Sequence, residues 1–268
     1  EYRMSEPDEM GLTPEAALGY EAFFVPAIFH QWPQKLIAAG AICKGEKVLD
    51  VGCGTGVLTR ELPGCVGATG SVTGFDLSES MLGVARRHCP GVPFHQGSVN
   101  TLPFDDASFD VVVSAFMLMF LESPAQALSE MRRVLRPGGR LVVSVWQGLD
   151  NNPTYAALVK VARDILDDES ADSIGWPFSM GEAEKLADIF AAAALEHVSV
   201  SSHDGTARFP SLEEFVKTEI QAWLLANSVD EVKIGELAGA LRAACRELDV
   251  DGEIEFPLNA LIARAKIG

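Results

Sequence analysis

The residues whose types and spacing could bind a ligand lie in one short stretch, VLDVGCGTG, at residues 48–56. The acid Asp50 stands in its apolar part, and three glycines follow at alternate positions, Gly52, Gly54 and Gly56. Glycine has no Cβ atom, so such a loop can turn tightly and bring its backbone close to a ligand. An acid inside an apolar strand is costly to bury without a partner. The stretch therefore predicts a strand that ends in a ligand-binding loop.

The spacing of the glycines separates two kinds of nucleotide-type site. A dinucleotide site uses G-x-G-x-x-G, and Val57 stands where the last of those glycines would be. The sequence has G-x-G-x-G instead, preceded by an acid in the strand. The glycine spacing therefore disfavours an NAD-dependent oxidoreductase, which stays an alternative. A non-catalytic module that keeps its ligand for structural reasons is a second alternative, because the sequence offers no clear general base.

Strands and helices alternate through the first half of the chain and must position this loop. Short apolar runs predict the strands, while Ser78 as a capping residue and the turn at Pro137-Gly138-Gly139 limit the helices between them. This alternation is typical of βαβ units and a parallel sheet. The predicted strands are 47–51, 72–76, 94–97, 109–114 and 140–146, and the predicted helices begin at 57 and span 78–88 and 124–135.

The two ends of the chain have other patterns. Residues 14–39 predict helical segments that are interrupted by Pro26 and Pro33. Residues 256–267 fit the period of a strand and the period of a helix equally well. Between them, after Asn151, the pattern predicts helices at 155–168, 181–195, 212–226 and 230–248 and one strand at 196–203.

Composition and charge restrict the class of protein. The chain has 268 residues, 48% of them hydrophobic, which is enough for a large core and too many for a disordered chain. Its formal net charge of −17 repels phosphate backbones and anionic lipids, so we expect no nucleic-acid partner. We also expect no membrane insertion, because the longest nearly apolar run, 111–121, is too short to cross a bilayer.

The cysteines and the start of the sequence bear on the compartment. The five cysteines include no C-x-x-C pair, which favours a reducing cytoplasm and argues against a disulfide framework or a metal site. The first ten residues lack the pattern of a signal peptide. We therefore expect a cytoplasmic protein without a metal, and either a monomer or a homodimer is compatible with the sequence.

Four stretches in order resemble class I S-adenosylmethionine-dependent methyltransferases. They are VLDVGCGTG, GFDLSESML at 74–82, LPFDDASFDVVVS at 102–114 and ALSEMRRVLRPGGRLVVSVW at 127–146. The branch that they resemble is the small-molecule one that includes ubiquinone- and menaquinone-biosynthesis-type methyltransferases. The resemblance implies an α/β fold, Rossmann-like, with a seven-stranded mostly parallel sheet and helices on both faces.

The resemblance extends to both ends of the chain and implies a division into parts. GYEAFFVPAIFHQW resembles an N-terminal helical lid, and GEIEFPLNALIARAKI resembles a closing strand. We expect a lid at 1–45, an S-adenosylmethionine-binding α/β domain at 46–208 and 251–268, and a C-terminal helical insertion at 209–250 that covers the substrate site.

The resemblance also implies which residues hold S-adenosylmethionine and its product S-adenosylhomocysteine. Asp50 acts on the methionine ammonium, directly or through water, and Asp76 accepts the ribose hydroxyls. Ser98 departs from the family, whose members often have an acid there to accept the adenine amino group. The remaining implied cofactor residues are Gly52, Cys53, Gly54 and Gly56 in the loop, Leu77 and Met81 after the second strand, Gly97 and Val99 beside the adenine, and Ser114 and Phe116 at the methionine end.

The acceptor and any general base are less well indicated. The implied reaction is in-line methyl transfer to a small molecule through oxygen, nitrogen, carbon or sulfur. His30 and Tyr20, in the lid, are the candidates for a catalytic role, and Tyr20 could also face the sulfonium. Trp32, Trp146 and Tyr155 are candidates for contact with the substrate.

The negative charge is unevenly distributed. Residues 1–148 have a net charge of −5, and residues 149–268 have a net charge of −12. A solvated helical surface is the simpler explanation. Attraction of a cationic acceptor, such as an amine, is the alternative.

Overall fold

A computed structural model of the chain describes residues 12–195, 197–223, 229–248 and 252–268. Parts of several predictions lie outside these residues: the start of the lid at 1–11, the start of the strand at 196, the end of the helix at 212–226, residues 224–228 and 249–250 of the insertion, and residue 251 of the α/β domain. The described chain forms two compact units. The first contains the described residues up to Val145 with Ala183–Ser201 and Leu261–Gly268, and the second contains Trp146–Glu182 and Ser202–Ala260.

Nine strands and ten α-helices are described. The strands are β1 Lys47–Val51, β2 Ser71–Asp76, β3 Phe94–Gln96, β4 Phe109–Ala115, β5 Leu135–Trp146, β6 Ser199–His203, β7 Thr206–Phe209, β8 Ile254–Pro257 and β9 Ala260–Lys266. The α-helices are α1 Pro14–Gly19, α2 Trp32–Gly40, α3 Leu62–Val66, α4 Glu79–His88, α5 Pro124–Val134, α6 Pro153–Ile165, α7 Asp168–Gly175, α8 Ala183–Ala192, α9 Leu212–Trp223 and α10 Glu231–Ala244. Residues Tyr20–Phe29 form a π-helix.

Seven strands form one sheet in the order β3-β2-β1-β4-β5-β9-β6. The four pairs among its first five strands are parallel, and Asp50 in β1 lies between Gly74 and Val113 of the neighbouring strands. Hydrogen bonds join Gly138 and Gly139 to Ile267 at one end of β5, whereas Gln147 follows β5 and bonds to Asn259, so β9 runs antiparallel to β5. The predicted seven-stranded, mostly parallel sheet is confirmed.

The centre of the sheet is apolar because it is covered on both faces. Val48, Leu49 and Val51 in β1 and residues 111–113 in β4 are completely buried. Continuous apolar strands of this kind belong to parallel sheets that helices cover on both sides. The order of the strands reverses between β2 and β4 around β1, and ligands bind at such a reversal beyond the carboxyl ends of the strands. The loop at 52–56 begins there.

Local sequence explains most helix limits. Ser78 accepts a hydrogen bond from the Met81 N–H and caps α4, as predicted. Pro33 lies in the first turn of α2, where its missing N–H costs no hydrogen bond. Pro26 lies inside the π-helix instead of ending a segment. The helix predicted from residue 57 is shorter, with a 3₁₀ turn at Thr59–Glu61 followed by α3.

The C-terminal residues are strands. Residues 256–267 contain the end of β8 and all of β9, so the strand implied by the family resemblance is confirmed and the helical alternative is wrong. β8 pairs with β7 as a separate two-stranded antiparallel sheet, which the sequence did not predict. The compact units also begin and end at other residues than the predicted domains, because Trp146–Glu182 falls in the second unit. The roles of lid and insertion stay predictions.

Candidate functional site

The loop after β1 has the backbone shape that its glycines permit. Gly52 and Gly54 have φ values of +70° and +54°, a region that residues with a side chain rarely adopt. A Cβ atom on Gly52 would come within 2.5 Å of the Met117 side chain. A Cβ atom on Gly54 would meet no heavy atom of the described residues within 4 Å. Gly52 therefore allows close packing, whereas Gly54 borders open space.

Asp76 at the end of β2 holds this loop. One of its carboxylate oxygens accepts a hydrogen bond from the Gly54 N–H at 2.8 Å, and the other accepts one from the Ser78 N–H at 2.9 Å. The side chain is largely buried. A carboxylate oxygen can accept more than one hydrogen bond, so a ligand hydroxyl can share such an oxygen with a backbone N–H.

Asp50 is buried with its two oxygens in different situations. Oδ2 accepts a hydrogen bond from the Thr59 hydroxyl at 2.6 Å. Oδ1 is buried and accepts no hydrogen bond from any residue that the structure describes. Burial raises the pKa of this carboxyl from 3.8 to about 7, hydrogen bonds from Thr59 oppose the rise, and the charge of Asp76 adds to it. A cation at Oδ1 would favour the ionised form.

Asp50 and the loop form one wall of a cavity of about 50 Å³ that is partly open to solvent. The other wall is apolar and largely aromatic. The residues that line this cavity include no lysine, arginine or histidine among those the structure describes. The lining residues are Tyr20, Phe29, Trp32, Pro33, Leu36, Asp50, Gly52, Cys53, Gly54, Thr55, Val57, Leu58, Ala115 and Phe116.

The aromatic wall consists of side chains from the N-terminal helices and from the end of β4. The Tyr20 ring stacks on Phe29 with a centroid distance of 5.4 Å, and Phe116 contacts Phe29 and Trp32 at 5.6 and 5.3 Å. Burial raises the pKa of the Tyr20 hydroxyl, and the charge of Asp76 raises it further. Phe116 has a φ of +54°, and a strained backbone at a non-glycine residue is common at functional sites. An aromatic wall facing a carboxylate suits a cation.

The structure brings some of the predicted site residues together at this cavity, whereas others do not line it. Asp50, Gly52, Cys53, Gly54 and Phe116 from the cofactor prediction line the cavity, as do the candidates Tyr20 and Trp32. Ser114 is buried in β4, and its hydroxyl has no partner in the described chain. Gly56 lies further along the loop, where an added Cβ would be 3.0 Å from the Cys89 sulfur. Leu77 and Met81 are half-buried after β2, and Gly97 and the buried Val99 follow β3.

Ser98 is exposed at the end of β3. Its hydroxyl accepts a hydrogen bond from the Asn100 N–H at 3.3 Å and caps the short 3₁₀ turn Val99–Thr101. The oxygen therefore already serves the local backbone. The weaker adenine contact that we expect of a hydroxyl at this position stays a prediction.

Three predicted residues lie elsewhere. His30 is exposed after the π-helix and does not line the cavity. Trp146 and Tyr155 belong to the second unit, where both are buried. The Tyr155 hydroxyl donates a hydrogen bond to the buried Glu219 at 2.8 Å. A catalytic role for His30 and a substrate role for Trp146 and Tyr155 stay predictions.

Two threonines of the site were not predicted. Thr55 lines the cavity, is completely buried, and its hydroxyl has no partner in the ranges that the structure describes. Thr59 is also completely buried and binds Asp50. The signal available in the sequence was a hydroxyl group in and just after an otherwise apolar loop. That signal is weak, because buried threonines commonly donate to nearby backbone carbonyls.

Within 12–195, 197–223, 229–248 and 252–268, no three histidine, cysteine or acidic side chains lie close enough together to hold a metal ion. In the same ranges, no helix combines the length and hydropathy needed to cross a membrane.

Known proteins are similar to this chain in sequence and in fold. A family described as a methyltransferase domain matches residues 49–143. The demethylmenaquinone methyltransferase of Staphylococcus aureus is 36% identical over 188 residues, which are 65% of this chain and 78% of that protein. An uncharacterized 37.1 kDa transposon protein of Streptomyces fradiae is 36% identical over 150 residues, and these span 53% of this chain but only 40% of that protein.

A solved structure supports the fold. The phosphoethanolamine N-methyltransferase 2 of Haemonchus contortus, in complex with phosphomonomethylethanolamine and S-adenosylhomocysteine, superposes with a TM-score of 0.61 at 18% identity. The match covers 95% of this chain and 57% of that one.

The fold and the loop after β1 define a Rossmann-like α/β methyltransferase. The chain belongs to the class I S-adenosylmethionine-dependent methyltransferases, of the type found in quinone biosynthesis. It is an enzyme whose cofactor is S-adenosylmethionine and whose methyl acceptor is a small molecule. The alternatives of an NAD-dependent oxidoreductase and of a non-catalytic module are therefore set aside.

Proposed function

We propose that methyl transfer takes place at the cavity between the loop after β1 and the N-terminal helices. The observation that carries this proposal is the buried Oδ1 of Asp50, a carboxylate oxygen without a partner among the described residues in a cavity whose lining has no cationic side chain. S-adenosylmethionine carries an ammonium and a sulfonium, and its sulfonium activates the methyl group for displacement by a nucleophile. The charge of the cavity suits such a ligand.

Each part of the proposed site has a role in binding. Asp50 would accept hydrogen bonds from the methionine ammonium, and Asp76, which also accepts from Gly54 and Ser78, would accept hydrogen bonds from the ribose hydroxyls. The open side of Gly54 leaves room for the ligand beside the backbone. The rings of Tyr20 and Phe116 would face the sulfonium.

The walls of the cavity would mainly orient the reactants and exclude water, rather than transfer protons. The ionisable side chains in its lining are Asp50, Cys53 and Tyr20, all from the described residues. Burial raises the pKa of the Cys53 thiol and of the Tyr20 hydroxyl, so both stay protonated. Asp50 is occupied by the ammonium in this proposal. The acceptor would therefore bring its own nucleophilic atom, and the enzyme would align it with the methyl group.

The same reasoning extends to partners and compartment. We propose that the acceptor is the small-molecule partner, that nucleic acid is not bound, and that the enzyme works in the cytoplasm as a monomer or homodimer. The net charge of −17 disfavours nucleic acid. All five cysteines are free thiols, which suits a reducing compartment.

Calorimetry tests the site directly. We expect the full chain to bind S-adenosylmethionine and S-adenosylhomocysteine, and we expect Asp76→Ala to lower the affinity for S-adenosylhomocysteine at least tenfold, about 1.4 kcal/mol, because charge-assisted hydrogen bonds are lost. Glu122→Ala removes one exposed acid from the same unit and serves as the control for net charge. A folded protein that releases no heat with either ligand contradicts the proposal, and an unchanged affinity in Asp76→Ala contradicts the ribose assignment.

A further inference from the structure

The two oxygens of Asp50 differ, and a neighbouring side chain is responsible. Oδ2 is bound by the Thr59 hydroxyl, whereas Oδ1 has no partner in the described part of the chain. We propose that Thr59 is a positioning residue: its hydroxyl holds one oxygen of Asp50 so that the other stays available to the amino group of the cofactor. This inference rests on the proposed function, since it assigns the amino group of the methionine part to Asp50.

The hydrogen bond has the geometry of a strong one. Its oxygen–oxygen distance of 2.6 Å is typical of a hydroxyl that donates to a carboxylate. Both side chains are buried, at 1% exposure for Asp50 and 0% for Thr59, so water cannot readily take over the donor's place. The terminal torsion of an aspartate is broad, so loss of this donor leaves only the backbone of Thr59, among the described residues, to orient the carboxylate by a hydrogen bond.

Thr59 is itself held in place by the residue after it. The Arg60 N–H donates to the Gly56 carbonyl at 2.9 Å, and its guanidinium donates to the carbonyls of Gly56 and Thr55 at 3.1 and 3.3 Å. The turn at Thr59–Glu61 is thereby joined to the glycine loop. The position of the Thr59 hydroxyl is therefore set by the same loop that lines the cavity.

The proposal predicts a loss confined to one part of the ligand. Asp50 would contact the amino acid part of the cofactor, whereas the adenosine part would depend on Asp76 and on residues after β2 and β3. Loss of the Thr59 hydroxyl should therefore weaken ligands that carry the amino acid group. Ligands that consist of the adenosine part alone should be unaffected.

Two ligands and two substitutions test this in the full chain by calorimetry. S-adenosylhomocysteine carries the amino acid group, and 5′-methylthioadenosine lacks it. We expect Thr59→Val to lower the affinity for S-adenosylhomocysteine about tenfold and to change that for 5′-methylthioadenosine less than twofold. Thr59→Ser keeps the hydroxyl and should bind S-adenosylhomocysteine within about threefold of the wild type.

The outcomes separate positioning from a merely structural role. Equal losses for both ligands, or no loss in Thr59→Val, would overturn the proposal. If Thr59→Val does not fold, as judged by its melting curve, Thr59→Ala removes the same hydroxyl and is compared with Thr59→Ser on the same two ligands. An equal loss for both ligands in Thr59→Ala, or no loss, overturns the proposal. If the wild type binds 5′-methylthioadenosine but not S-adenosylhomocysteine, the assignment of Asp50 in the proposed function fails instead.

Discussion

Each of the two compact units buries a carboxylate, and the two carboxylates differ in their hydrogen bonds. Asp50 in the first unit is 1% exposed and has one bonded oxygen and one without a partner among the described residues. Glu219 in the second unit is 2% exposed and accepts a hydrogen bond from Tyr155. The Tyr155 ring packs against Phe178 and Phe215 at centroid distances of 4.8 and 5.5 Å.

The difference indicates what each acid is for. A buried charge is costly, and a protein normally meets that cost with internal hydrogen bonds. Glu219 has such a donor inside an aromatic cluster, which indicates a structural role for it and for Tyr155. Asp50 lines a cavity and keeps an oxygen open, which indicates a role for a ligand. Three substitutions test this contrast.

The largest effect is expected at Asp50. Asp50→Asn removes the charge that would meet the ammonium, so the affinity for S-adenosylhomocysteine should fall about 10- to 100-fold, corresponding to about 1.5–3 kcal/mol. Calorimetry at pH 7.5 measures this loss. A variant that binds as tightly as the wild type would place the ammonium elsewhere and remove the contrast with Glu219.

Compared with the wild type, Asp50→Asn should become more stable as the pH rises. The folded-state pKa of Asp50 lies above the unfolded value, so the stability linked to its protonation is present at low pH and is lost as the pH rises from 3.8 through about 7. Asparagine does not titrate. The free energy of unfolding of Asp50→Asn, relative to the wild type, should therefore increase by about 2 kcal/mol between pH 5 and pH 8. Urea unfolding at both pH values checks this, and a constant difference would contradict the raised pKa.

A comparable change in stability, without a change in binding, is expected at Tyr155. Tyr155→Phe leaves the buried Glu219 with one donor fewer, which should lower the free energy of unfolding by about 1–3 kcal/mol. The affinity for S-adenosylhomocysteine should stay within twofold. Urea unfolding and calorimetry on the same sample measure both quantities. A fall in turnover without loss of stability would instead support the substrate contact that the sequence predicts for Tyr155.

The smallest effect is expected at the ion pair between the π-helix and the turn after the glycine loop. Arg60 contacts Glu21 at 2.8 Å, with side-chain exposures of 26% and 14%. Partly exposed ion pairs contribute about 0.2–1 kcal/mol. Loss of that energy in Glu21→Gln should raise the dissociation rate of S-adenosylhomocysteine no more than about fivefold. The difference from the wild type should be smaller at high salt, because salt screens the ion pair. Stopped-flow measurements compare it with Glu79→Gln, which breaks the more exposed pair with Arg86 and should have no effect.

The sequence predicted the parts of the candidate site that lie in two short motifs. Asp50 and the glycine loop stand in and directly after the apolar β1, Asp76 ends β2, and the parallel pairing of these two strands brings the two acids to one edge of the sheet. Family resemblance, and not periodicity, decided that 256–267 is strand, because burial on both faces removes the alternation that marks a strand.

Other parts could not be read from local sequence because they depend on packing. The pairing of Thr59 with Asp50 requires the turn after the loop to fold back over β1. The convergence of Phe29 and Phe116 joins residues that are far apart along the chain. The strand β7 is short and pairs only with β8, far away in sequence.

The winding of the segment Tyr20–Phe29 decides which rings reach the cavity. Tyr20 and Phe29 are nine residues apart, and in an α-helix that separation would put them about 180° apart on opposite faces. The wider turn of the π-helix returns both rings to one side, where they stack. The aromatic wall therefore depends on chain length as well as residue type. We expect that deleting a single residue from this segment would narrow its winding and turn one ring away, without changing any of the sheet residues that we propose to bind the cofactor.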